Sequence, residues 1–189
     1  MKNSKVTLPI FPLPVFLLPE GITRLRIFEP RYLKMIKIAT KEQGFVIWLN
    51  TNESQLPYSK WGSWVNIINF NQGKDGVLEI DVKCKALVNI LSINKDTDNL
   101  HFGQVCEVSH WSQGDAQPSV YALSNAIEHV FENDTMLSEL YSEKQTDNIN
   151  WVIARWLELL PVNFSIKNSF VDQHGFEDAK NFVQSIIGK

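Results

Sequence analysis

Cysteine is scarce in this chain: Cys84 and Cys106 are the only two in 189 residues, and no C-x-x-C pair exists to hold zinc or run redox exchange. Their surroundings alternate like strands, so both read as small buried hydrophobes, with a cross-strand disulfide as the alternative. A surplus of one charge is also missing. Eighteen basic residues against 21 acidic ones leave a formal charge of -3, which gives no overall attraction to a phosphate backbone. The basic groupings, Lys83 with Lys85 and Lys34 with Lys37 and Lys41, are small, and the second fits the solvent face of a helix. No apolar run approaches the roughly 20 residues of a membrane span. Repeats and low-complexity tracts are absent too.

Local chemistry is equally sparse. The phosphate-binding pattern G-x-x-x-x-G-K-[ST] does not occur, so ATP hydrolysis is not expected. His101, His110, His129 and His174 stand in dissimilar contexts, with no G-x-S-x-G elbow nearby. His101 and His110 could approach one another if they occupied neighbouring turns, but no Cys or carboxylate is spaced to complete a zinc site. Glu177 and Asp178 read as first-turn helix charges. The sequence therefore offers no catalytic residue, no cofactor and no metal ligand.

Lys2 and Lys5 precede an apolar stretch, 8–18, that superficially resembles a secretory signal. Pro9, Pro12, Pro14 and Pro19 would break the helix such a signal needs, and the stretch ends in Pro19-Glu20-Gly21 instead of a small-x-small site. A cytoplasmic protein is expected.

What is present is concentrated in residues 8–32. Because proline cannot donate to a ladder, the first extended segment is expected at a sheet edge or paired on one side only. Glu20-Gly21 marks a turn, Leu25 and Ile27 belong to a second strand, and Pro30 stands where a helix tolerates a missing N–H. The helix is predicted over 30–43, with Tyr32, Met35, Ile36 and Ala39 on its apolar face and Gly44 ending it in the left-handed conformation. Glu29 would sit at its positive end. Arg31 would pair with an acid or cap carbonyls.

At these residues the chain resembles the amino-terminal, substrate-binding domain of the Lon protease family. Pro9-Ile10-Phe11-Pro12-Leu13-Pro14, the turn at Glu20-Gly21 and Leu25-Arg26-Ile27-Phe28-Glu29-Pro30-Arg31-Tyr32 carry the resemblance. Gly62-Ser63-Trp64-Val65-Asn66-Ile67 and Asp75-Gly76-Val77-Leu78-Glu79-Ile80 echo it further along. Where relatives carry a Gly followed by an Arg-Phe pair, this chain has Lys83-Cys84-Lys85-Ala86-Leu87-Val88, so a binding surface there is expected to differ. The resemblance implies an α+β fold, a PUA-like β-barrel with an inserted helix, followed by a C-terminal helical bundle. It also implies that Phe28, Glu29, Pro30, Arg31 and Tyr32 are mainly architectural. Complete Lon proteases add ATPase and Ser-Lys peptidase modules, for which a chain ending at Lys189 has no room, so no enzyme activity is expected.

The remaining pattern divides the chain into 1–115 and 116–189. The first part offers strands at 45–49, 64–70, 77–83, 86–93 and 102–111, with Leu78, Ile80 and Val82 alternating against Glu79, Asp81 and Lys83. The second offers apolar stripes at helical spacing: Val120, Leu123, Ile127, Val130 and Phe131; then Met136, Leu137, Leu140 and Tyr141 behind Asp134 as N-cap. A third, with Asp147 as N-cap, carries Ile149, Val152, Ile153, Trp156 and Leu160 before Pro161 stops it. Short helical pieces follow at 166–172 and 177–187.

Six tryptophans make recognition the remaining chemistry. Trp64 alternates into a strand and reads as core, Trp48, Trp151 and Trp156 likewise, and Trp61 reads equally as core or as an anchor beside the loop 50–60. The function expected is a non-catalytic module that binds hydrophobic or unfolded polypeptide, or an adaptor working with a protease or chaperone. Arg24, Arg26 and Trp61 are the peptide-binding candidates. A nucleic-acid-binding PUA-like protein is the alternative, disfavoured by acidity.

Overall fold

A computed structural model describes residues 4–49, 60–112 and 121–188. The chain divides into two compact units, Met1–Val108 and Ser109–Lys189.

The first unit is a six-stranded sheet in the order β2-β5-β4-β3-β1-β6. Its strands are β1 (Val6–Leu13), β2 (Ile22–Ile27), β3 (Phe45–Leu49), β4 (Trp61–Gln72), β5 (Leu78–Lys95) and β6 (His101–Val108), with the helix α1 (Pro30–Ala39) between β2 and β3. The ladders form a circuit. β5 pairs β4, β4 pairs β3, β3 pairs β1, β1 pairs β6, and β6 returns to the far half of β5. β2 lies outside this circuit, antiparallel to the first half of β5. Among the described strands only β1 and β3 run parallel, as the helical crossover between β2 and β3 permits. Leu8, Ile10, Val46, Trp64, Val88 and Val105 form a buried cluster, with Val6, Trp48 and Ile90 packed against it.

The position of β1 corrects the edge-strand expectation. It lies inside the order, yet each half uses one partner: 6–10 pairs β6 and 10–13 pairs β3, only Ile10 serving both. That division accommodates Pro9 and Pro12, since each occupies a stretch with one side of its backbone outside a ladder.

The two strands expected at 77–83 and 86–93 are one strand, β5, of 18 residues. Its register against β4 shifts between Trp64 and Val65, where Ala86 faces Trp64 and Cys84 faces Val65, so Lys85 is an inserted residue. A charge that reads as a break in the alternation marks a bulge. The Lys85 ammonium lies 3.4 Å from the centre of the Trp64 ring.

Helix α1 ends at Ala39, earlier than expected, because Thr40 turns its hydroxyl back to the Ile36 carbonyl and a turn follows. Gly44 completes the reversal with φ +85°, its N–H donating to the Ala39 carbonyl at 3.3 Å. A Cβ there would stand 2.0 Å from the Val65 carbonyl oxygen, so the glycine is required twice over.

The second unit contains α2 (Tyr121–Asn133), α3 (Thr135–Leu140), α4 (Ile149–Leu159), α5 (Phe164–Asn168) and α6 (Phe176–Ile187). Val120 lies outside the described residues. α4 is buried continuously from Trp151 to Leu157, and Phe131, Tyr141 and Trp151 meet with ring centres 4.8 to 5.9 Å apart. Trp156 donates to the Leu123 carbonyl at 3.1 Å, as a buried indole must to satisfy its N–H. Asp134 caps α3 by accepting from the Leu137 N–H. For α4 the cap is Asn148, which accepts from the Trp151 N–H, and not Asp147.

Candidate functional site

In the first unit, the rows across β2, β5 and β4 place Arg24 beside Asp81 and Asn69, and Arg26 beside Glu79 and Asn71. Alternation sends these side chains to one face of the three strands, while Leu25, Ile27 and Ile80 are buried on the other. Asp81 is the node of that polar face. Arg24 donates from Nε to Oδ1 at 2.7 Å and from Nη2 to Oδ2 at 3.2 Å, and Asn69 and Asn71 each donate to Oδ2 at 3.2 Å. A buried carboxylate is held there by four donors, a bidentate guanidinium among them. Arg26 is more exposed and reaches Asp75 and, at 3.7 Å, Glu79.

Trp61 is half-buried, edge-on to Phe16 with ring centres 5.8 Å apart. It pairs with Asn89, eight residues along β5 from the Asp81 row, a distance of up to roughly 26 Å along the strand. The three peptide-binding candidates therefore divide into a pair of arginines on one face and a tryptophan far along the sheet. Phe16 was the neighbour that sequence reasoning did not associate with Trp61. Of the loop expected at 50–60, beside which Trp61 was to act as an anchor, residues 50–59 lie outside the described residues.

The stretch 28–32 turns strand into helix. Pro30 opens α1, and the Glu29 carbonyl accepts from the N–H groups of Tyr32 and Leu33. The Glu29 carboxylate makes no cap hydrogen bond; it pairs with Arg31 at 2.7 Å instead, and the Arg31 guanidinium lies over the Tyr32 ring at 4.8 Å. Tyr32 is buried against Phe11, centres 4.1 Å apart. Burial raises the Tyr32 phenol above its ordinary pKa, with Arg31 opposing and Glu29 adding to the shift. Phe28, by contrast, is 71% exposed.

One lysine of each basic grouping is engaged by acids. Lys34 bonds Asp96 at 2.7 Å and also Asp98, both in the turn after β5. Lys83 pairs with Glu20 at 2.6 Å, while the Cys84 backbone exchanges 2.8 Å hydrogen bonds with Glu20 and Gly21. The segment 83–86 thus anchors the Glu20 turn, whose left-handed φ of 68° is unusual for a residue with a side chain.

No group of three or more metal-ligating side chains occurs among the described residues. His101 opens β6, where Ile10 and Lys95 flank it in register, and its buried Nδ1 finds no hydrogen-bond partner among the described residues. Burial lowers its pKa, and Lys95 and Arg31 lower it further. His110, beyond the other end of β6, bonds the Val171 carbonyl through Nδ1 at 3.3 Å and stacks on Trp111. The whole strand stands between the two, so they do not share a turn. Both cysteines carry free thiols, Cys84 buried and Cys106 half-buried.

Residues 7–169 match the model of the ATP-dependent protease La (LON) substrate-binding domain. The chain belongs to that family of substrate-binding domains, which is a non-catalytic part of the protease. Solved structures share the fold, two of them as follows. One is a Lon N-terminal domain protein from Xanthomonas campestris, with TM-score 0.72 and 23% identity, covering 96% of this chain and 99% of that one. The other is the N-terminal domain of Mycobacterium avium complex Lon protease, with TM-score 0.60 and 12% identity, covering 97% of this chain and 99% of that one. No curated protein matches. No helix among the described residues is long and apolar enough to cross a membrane.

Proposed function

We propose that this protein is a non-catalytic recognition module that binds hydrophobic or unfolded polypeptide, alone or as an adaptor for a protease or chaperone. The observation that carries the reading is the family match over 7–169. The engagement of Lys34 and Lys83 by carboxylates supports a protein client over a nucleic acid, because such lysines offer phosphate no uncompensated charge. The circuit of ladders in the first unit favours a small closed barrel of the PUA-like type, with 1–115 and 116–189 as its barrel and helical subdomains. Free thiols fit a cytoplasmic location.

Arg24, Arg26 and Trp61 are the rim candidates within this reading. Arg26 and Trp61 offer accessible surface, whereas Arg24 is already committed to Asp81. The test is capture by the purified protein from an array of unfolded and folded polypeptides, with single-stranded RNA as a control at two salt concentrations. Selective, weakly salt-dependent capture of apolar peptides is expected. Capture of RNA alone, falling steeply with salt, would replace this function with the nucleic-acid alternative.

A further inference from the structure

We propose that the outer half of β4, residues 66–72, is an edge to which an extended client adds as a strand, and that the segment accepted is uncharged, mixing apolar and amide side chains. This rests on the polypeptide-binding reading and gives it a location. β4 is twelve residues long, but β3 pairs only with 62–65. From Asn66 to Gln72 the ladder partner is β5 alone, so among the described residues no strand takes up the other side of this backbone.

Natural edges are guarded by lysine, proline, an inward charge or a bulge. This one has a bulge but no charge and no proline, for Trp61 to Gln72 reads WGSWVNIINFNQ. One register shift, between Ile67 and Asn69, adds Ile68 as an extra residue. Ile68 is 50% exposed and Phe70 51% exposed. Phe70 shares its row with Ile80 and Leu25, both buried, so a strand laid beyond β4 would extend an existing apolar row and cover the ring.

Charge selects the occupant. A lysine or aspartate set against Ile68 and Phe70 would lose water without gaining a partner, whereas apolar and amide side chains match Ile68, Phe70, Asn66 and Gln72. Length selects against a second copy of the chain. Seven residues span roughly 23 Å, enough for one added strand, while a stable protein interface buries about 1,200–2,000 Å².

The experiment uses fluorescence anisotropy on the full chain with an eight-residue labelled peptide alternating Val, Ile or Phe with Asn or Gln. Its comparators are the same peptide with two lysines and the same peptide N-methylated at alternate residues, which removes ladder donors. Wild-type protein is expected to bind the uncharged peptide at least tenfold more tightly than either comparator. Ile68→Lys and Phe70→Lys, at half-exposed positions and checked for unchanged melting, are expected to weaken it at least tenfold. Unaltered affinity in both variants overturns the edge while leaving polypeptide binding intact, and no binding of any polypeptide overturns both. Self-association that these lysines abolish would assign the edge to a second copy and overturn the peptide proposal.

Discussion

Arg24 and Asp81 face one another across the β2–β5 ladder, the guanidinium donating to both carboxylate oxygens at 2.7 and 3.2 Å. Asp81 is almost fully buried and also holds Asn69 and Asn71 of β4, so one side chain ties three strands together. Removing it takes the shared carboxylate away from a partly buried cation and two amides. Asp81→Ala is expected to cost about 2–3 kcal/mol, less than a fully buried pair because the Arg24 side chain keeps 24% exposure. Urea denaturation reads this directly, and a change under about 0.5 kcal/mol would remove Asp81 from the role of node.

The second unit should lose stability on acidification through His110. Burial lowers its pKa to about 4, the Val171 carbonyl opposing and Arg155 assisting the shift. A depressed folded value means stability is fully present above the unfolded pKa of about 6.5 and is lost as pH falls through the folded one. The expected loss between about pH 6.5 and 4 is at most about 3 kcal/mol. His110→Phe should flatten that stretch of the stability curve, and an equally steep curve in the variant would contradict the assignment.

Gly44→Ala meets two penalties. The residue has φ +85°, and its new Cβ would approach the Val65 carbonyl oxygen to 2.0 Å, so backbone must move. Left-handed strain alone costs roughly 1–2 kcal/mol. A fall in stability exceeding about 2 kcal/mol is expected by chemical denaturation. A near-neutral result would mean the α1–β3 connection can rearrange.

Capping of α4 separates two adjacent residues. Asn148 accepts from the Trp151 N–H, so Asn148→Ala should cost about 1 kcal/mol, while Asp147→Ala should fall within about 0.5 kcal/mol. Thermal melts of the two variants decide it, and the reverse ranking would restore Asp147 as the cap.

Much of the architecture was legible because it rests on local chemistry. Pro30 at the helix start, the 3.6-residue apolar spacing of α2 and α4, and Gly44 at a reversal all act within a few residues. The misjudged features depend on distant partners. Whether β1 sits at an edge is decided by β3 and β6, from residues 45–49 and 101–108. Lys85 is a bulge instead of a break because β4, a separate strand, pairs with β5 on both sides of it, Trp64 with Ala86 and Val65 with Cys84. Among site residues, sequence marked Arg24 as a charge on a strand but could not supply Asp81, 57 residues away. The uncharged outer half of β4 was hidden for the same reason: an uncharged strand becomes an edge only where its neighbour stops, and antiparallel β3 begins at Phe45, opposite Val65.

Polypeptide recognition is the central claim, and the most direct measurement is equilibrium binding of the purified chain to an unfolded apolar polypeptide and to its folded form at low and high salt. The account predicts saturable binding to the unfolded form, little to the folded one, and weak salt dependence. Equal failure to bind both, or binding confined to single-stranded RNA and lost at high salt, would contradict it.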